Sequence, residues 1–180
     1  MTILSGFSGC TGLTSITIPS SVTSINGSAF QNCTGLTSVT IPNSVKWIIE
    51  NAFAGCSKLK SVIIGNNVNS ISSFAFAYCP ELTDVYCYAE NLPSTDANAF
   101  NDSYIEYATL HVPAASLNNY KNTEPWKNFQ NKVALNSGDI TETPKCAMPE
   151  ISYENGRVKF TCETEGVEYI SDVVLADTHK

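Results

Sequence analysis

Four cysteines, Cys10, Cys33, Cys56 and Cys79, stand 23 residues apart, and no other feature of the chain restricts its fold so much. Each is followed three residues on by a leucine (Leu13, Leu36, Leu59, Leu82) and three further by a β-branched residue (Ile16, Val39, Val62, Val85). A fixed period in this range means one short unit used again and again, in which no copy can bury its own apolar face. Stacked copies bury that face against one another and join their strands into a parallel sheet, so neighbour contacts supply the stability that a lone copy lacks.

In the second copy the template reads Leu36, Val39, Ile41, Pro42, Val45, Ile48, Ala52, Phe53, Cys56. Leu-x-x-Val-x-Ile alternates as a short strand with one buried face, and the proline that follows ends it because it has no amide hydrogen to give. Val45-x-x-Ile48 predicts a second short extended piece. Ala52-Phe53-x-x-Cys56 has the spacing of one helical or 3₁₀ turn.

The cysteine column raises the question of metal or disulfides. Equivalent Cα atoms in adjacent coils would lie about 4.8 Å apart, but with parallel Cβ vectors that do not converge on a disulfide. A zinc site usually begins with a close cysteine pair, and these four are never closer than 23 residues. The expectation is a column of buried thiols acting as small hydrophobes.

The stretch SGCTGLTSITIPSSVTSINGSAFQNCTGLTSVTIPNSV resembles the BspA-type leucine-rich repeats of bacterial surface proteins, over about residues 7–113. That resemblance implies a mainly β fold, a right-handed leucine-rich-repeat solenoid of 23-residue coils with a sheet on one side. It also implies a secreted or cell-surface, host-associated protein that adheres to matrix or cell-surface partners. Residues 1–6 lack the basic region and apolar stretch of a secretory signal and enter the repeat part-way through a coil, so the N-terminus reads as a cut end.

After Cys79 the pattern loosens. Cys87 takes the place of Ile18, Ile41 and Ile64, Phe100 arrives 24 residues after Phe76, and Ser103 stands where a cysteine belonged. Tyr107, Leu110, Val112 and Pro113 restore the strand with one inserted residue. Residues 114–135 change character: Leu117, Tyr120, Trp126, Phe129, Val133 and Leu135 recur at three, four and six, with Thr123-Glu124-Pro125 as a helix start. The expectation is a helical cap that covers the last coil and its strand edge. The solenoid then spans 1–135, coils 7–113 and cap 114–135.

Residues 136–145 are polar and turn-rich and read as a linker. In 146–180 the period becomes two, and Asn155-Gly156 between alternating runs predicts a tight hairpin. The segment resembles the first strands of an immunoglobulin-like or fibronectin-like domain, a partial antiparallel β segment, since a full sandwich needs about 100 residues. It implies completion by other chain, including self-association with a second copy. Across such a hairpin Cys162 lies opposite Pro149, a register that does not bring Cys146 and Cys162 together.

Chemistry is sparse. The net charge of −7 from 17 acidic and 10 basic side chains argues against a nucleic-acid partner, and no apolar run approaches a membrane span. By region, 1–113 carries −4, 114–138 carries +2 and the rest −5, so charge announces no face at that scale. His111, inside the last strand, and His179 have no evident acid and nucleophile companions, and no phosphate or calcium loop is present, so neither an enzyme nor a cofactor is expected. His111 reads as a solvent-face strand residue.

What remains is surface. The outward strand positions run Ser15 and Thr17, Ser38 and Thr40, Ser61 and Ile63, then Asp84 and Tyr86, from small and polar to apolar and aromatic. Trp47 stands where neighbouring copies have Ser24 and Ser70 and is predicted to point outward. Trp47, Ile63, Asp84 and Tyr86 are therefore the candidate partner-binding residues, for a protein or glycan on a host or neighbouring cell. The alternative is a structural spacer or targeting arm of a larger cell-surface protein or enzyme.

Overall fold

The computed structural model describes residues 2–135 and, beyond them, the strand backbone at 150–154, 157–161, 163–164, 167–168 and 172–173. The chain divides into two units, Met1–Ile140 and Thr141–Lys180.

In the first unit each Leu-x-x-Val-x-Ile run becomes a strand of a main sheet: β3 (Ser38–Ile41), β5 (Ser61–Ile64), β7 (Asp84–Cys87) and β9 (Thr109–Pro113). These pair in parallel, with Ser38 opposite Ser61 and Ser61 opposite Asp84, so the same letter of each copy stacks on the next. Two-residue pieces build a second parallel sheet: β1 (Ile3–Leu4), β2 (Ser24–Ile25), β4 (Trp47–Ile48), β6 (Ser70–Ile71) and β8 (Ser94–Thr95). The first copy contributes only a bridge from Thr17 to Thr40 to the main sheet. The result is a solenoid-like stack without a closed barrel.

The third side is made of turns. Ala52 N, Ala54 N and Cys56 N each reach back three residues, to Ile49, Asn51 and Phe53, as a 3₁₀ turn would. Asn51 (φ 58°) and Gly55 (φ 74°), however, are left-handed, so the expected helical turn is instead a series of tight turns. This frees alternate amides for the next coil: Phe30 N to Ala52 O, Phe53 N to Ala75 O and Phe76 N to Ala99 O, all at 2.8 Å. The phenylalanines stack in a column, Phe7, Phe30, Phe53, Phe76 and Phe100, with centroids 5.1–5.5 Å apart.

The thiols bind this column to the coil before. Cys33 Sγ donates to Phe7 O (3.0 Å), Cys56 Sγ to Phe30 O (3.3 Å) and Cys79 Sγ to Phe53 O (3.4 Å). Ser103 keeps the pattern, its hydroxyl donating to Phe76 O at 2.6 Å. Cys33, Cys56, Cys79 and Cys87 are buried and free, but Cys10 is exposed, because its coil has no coil before it in the stack.

Residues 114–135 depart from the expected helical cap. A 3₁₀ turn (Ala114–Ser116), helix α1 (Leu117–Asn122) and a second 3₁₀ turn (Trp126–Asn128) are followed by strand β10 (Asn131–Leu135). Thr123 caps the end of α1 and does not begin a helix. β10 pairs in parallel with β9, Val133 opposite His111, so it extends the main sheet and moves the edge one strand on. Trp126 and Phe129 are buried and meet Phe100 edge-on, at 5.5 and 5.4 Å, which ends the parallel ring column. Tyr120 OH donates to Ala89 O at 2.8 Å and lies 3.2 Å from Cys87 Sγ.

In the second unit β11 (Glu150–Glu154) and β12 (Arg157–Thr161) form an antiparallel hairpin with Glu154 opposite Arg157. β13 (Glu163–Thr164) pairs with β14 (Val167–Glu168), and β15 (Asp172–Val173) pairs with β12. The 136–145 linker, Cys146 and Cys162 lie outside the described residues.

Candidate interaction surface

Alternation decides which side chains leave the core. In β5 and β7 the burial alternates strictly, Val62, Ile64, Val85 and Cys87 going inward and Ser61, Ile63, Asp84 and Tyr86 outward. Parallel pairing then places outward residues in two rows across the main sheet. One row is Ser38, Ser61, Asp84, Thr109 and Asn131; the other is Thr40, Ile63, Tyr86, His111 and Val133.

Three of the four candidates meet on this face. Ile63 lies opposite Tyr86, and Asp84 is the next outward residue along β7. Trp47 does point outward, 37% exposed, but from β4 in the second sheet. There it flanks Ser24 on one side and Ile3 on the other, and Ser24 is buried to 3% between these two large side chains. Trp47 therefore does not join Ile63, Asp84 and Tyr86.

His111 does join them, and this corrects its reading as a strand residue without an acid companion. Its ring stacks on Tyr86 at a centroid distance of 4.1 Å and 8° between planes, and Nε2 lies 3.0 Å from Asp84 Oδ1. The other carboxylate oxygen, Oδ2, accepts from the Thr83 hydroxyl at 2.9 Å. The signal was available in the sequence: aligning Leu110 and Val112 with Val85 and Cys87 sets His111 beside Tyr86.

The chemistry of this cluster is that of contact. Thr83 turns its hydroxyl to the carboxylate and not to the imidazole, so the nucleophile-to-base contact of a hydrolytic triad is not formed here. Among the described residues no group of three His, Cys, Asp or Glu side chains is placed to hold a metal ion. The cysteines are no better as nucleophiles: burial pushes the Cys79 thiol up to about 12, and burial likewise raises Cys33, Cys56 and Cys87. The cluster instead offers a flat, half-buried aromatic pair with a carboxylate at its side, set on a rigid sheet.

The family model of the BspA type leucine rich repeat region (6 copies) matches residues 4–124, two thirds of the chain and all of the stacked coils. The chain belongs to this family. None of the curated proteins compared with it matches. BspA-type repeats are typically found in surface or secreted bacterial proteins, are generally non-enzymatic, and form repeat modules for protein–protein binding. Among the described residues no helix is long and apolar enough to cross a membrane.

Proposed function

We propose that this BspA-type module is displayed outside a bacterial cell and binds a protein or glycan of a host or neighbouring cell through the outer face of its main sheet. The observation that carries this is the row Ile63, Tyr86, His111, Val133, which replaces the serines and threonines of the earlier coils with apolar and aromatic side chains. Aromatic groups already fixed by a stack lose little entropy on binding, and a sheet face spaced at about 4.8 Å per strand suits an extended protein surface. The 23-residue spacing of the coils keeps these positions in register. On the same reading the 146–180 segment is the start of an immunoglobulin-like domain, completed by further chain or by a second copy.

The test is an array of extracellular-matrix proteins and glycans probed with the chain and with its Tyr86→Ala, Ile63→Ser and Trp47→Ala variants. Binding that falls at least tenfold with Tyr86→Ala and Ile63→Ser but persists with Trp47→Ala is the expected result. Equal binding by all variants would remove the sheet-face site. No binding by any of them would favour a structural spacer.

A further inference from the structure

On the turn side of the last coil, a shallow groove of about 320 Å³ is lined by Pro80, Glu81, Leu82, Thr83, Tyr104 and Tyr107. Its two tyrosines are among the most exposed large side chains described, Tyr104 at 52% and Tyr107 at 74%. The local backbone explains why. In the 3₁₀ turn Ile105–Tyr107 only Ile105 enters the core, and the residues on either side are turned out. Tyr104 itself sits at φ 49°, a left-handed conformation that an aromatic residue rarely adopts.

We infer that this groove seats a lysine or arginine side chain carried by a protein partner, an inference that rests on the protein-binding reading and adds a second contact beside the sheet face. The walls come first. Pro80, Leu82 and the two phenol rings make an apolar slot for the methylene stem of a long cationic side chain, and the ring faces attract its charged head. The polar groups come next, and they are mostly acceptors. The Thr83 hydroxyl is already committed, donating to Lys60 O and Asp84 Oδ2. Glu81 has only a long contact to Lys60 Nζ, 3.8 Å with both side chains exposed, a pair weak enough for a partner cation to displace.

The charge around the groove points the same way. Residues 61–120 contain Glu81, Asp84, Glu90, Asp96, Asp102 and Glu106, six acids, and no lysine or arginine at all. The same stretch holds Tyr78, Tyr86, Tyr88, Tyr104, Tyr107 and Tyr120, six of the eight tyrosines of the chain. An acidic band rich in tyrosine complements a basic segment and speeds its encounter. A sugar would fit less well: its hydroxyls need several directed donors and acceptors, and this slot is mainly apolar.

The test is surface plasmon resonance on the full chain with two synthetic peptides, one with arginine at every third position in a glycine-serine background and one with citrulline in its place. Citrulline keeps the shape and removes the charge. The arginine peptide is expected to bind at least tenfold more tightly, and Tyr107→Ala and Glu81→Gln each to weaken it at least fivefold. Neither variant touches the core, and a thermal melt of each checks that. Tyr86→Ala is expected to leave peptide binding within twofold, which separates this site from the sheet face. Equal affinity for both peptides, or arginine binding unaltered by Tyr107→Ala and Glu81→Gln, overturns the inference. Tyr107-dependent binding of a neutral oligosaccharide in place of the arginine peptide overturns it too, while the array result with Tyr86→Ala stands or falls separately.

Discussion

His111 lies flat on Tyr86, the rings 4.1 Å apart and 8° from parallel, with the imidazole held from the side by Asp84 at 3.0 Å. Aromatic pairs of this kind add about 0.5–1.5 kcal/mol beyond the area they bury. A double-mutant cycle of Tyr86→Ala and His111→Ala, read by urea denaturation, is expected to give a coupling in that range. A cycle that closes to zero would mean that the two rings are neighbours without being partners, and that neither pre-organises the other for binding.

Ser103 occupies the cysteine position of the last coil and makes two buried hydrogen bonds, accepting from Cys79 N at 3.0 Å and donating to Phe76 O at 2.6 Å. Ser103→Ala leaves an amide and a carbonyl without those partners, and each unsatisfied buried group costs about 1–3 kcal/mol. The variant is expected to lower the urea midpoint with an unchanged slope. A loss below about 0.5 kcal/mol would show that the turn relaxes to satisfy both groups another way.

Thiol labelling followed by peptide mapping separates the ends of the cysteine column. Cys10 is expected to react in the folded chain, and Cys33, Cys56, Cys79 and Cys87 only after denaturation. Linkage gives a second readout. Burial raises the Cys79 thiol from 9.0 to about 12, so the folded chain holds this proton more tightly than the unfolded chain. The stability this contributes is complete below pH 9 and is lost as pH rises towards 12. Cys79→Ala is expected to lessen the alkaline loss across that window, as followed by chemical denaturation at a series of pH values.

The sequence shows the stacked core well because each copy repeats the same buried letters: Leu36, Val39 and Ile41 are all in the interior, as are Leu59, Val62 and Ile64. It shows much less where one spacing fits two structures. Val133 and Leu135 continue a helical recurrence, yet they lie in β10, because β9 offers unpaired backbone groups that no side-chain period reveals. Ala52 and Cys56 have helical spacing, and the left-handed backbone at Asn51 and Gly55 breaks it. Cys10 carries the same letter as Cys33 but lies at an end of the stack, so burial there depends on position and not on template. Trp47 and Tyr86 are both outward, but only the register of two separate sheets shows that they face different directions.

Gly65 stands where the earlier copies have Pro19 and Pro42, and the close approach of two coils explains the exchange. A Cβ at this position would come within 2.7 Å of the Pro42 carbonyl carbon and 2.8 Å of Asn43 N, both backbone atoms that cannot swing aside. The Gly65 amide also donates to Ile41 O at 2.9 Å, a bond that proline could not make. Gly65→Ala is therefore expected to cost about 1–3 kcal/mol through overpacking, and Gly65→Pro more, since it adds the lost hydrogen bond to the clash. Thermal unfolding of the two variants checks both the size and the order. If Gly65→Pro were as stable as the parent chain, the third coil would have to tolerate the proline turn of the first two, and the close contact with Pro42 would not be what selects glycine.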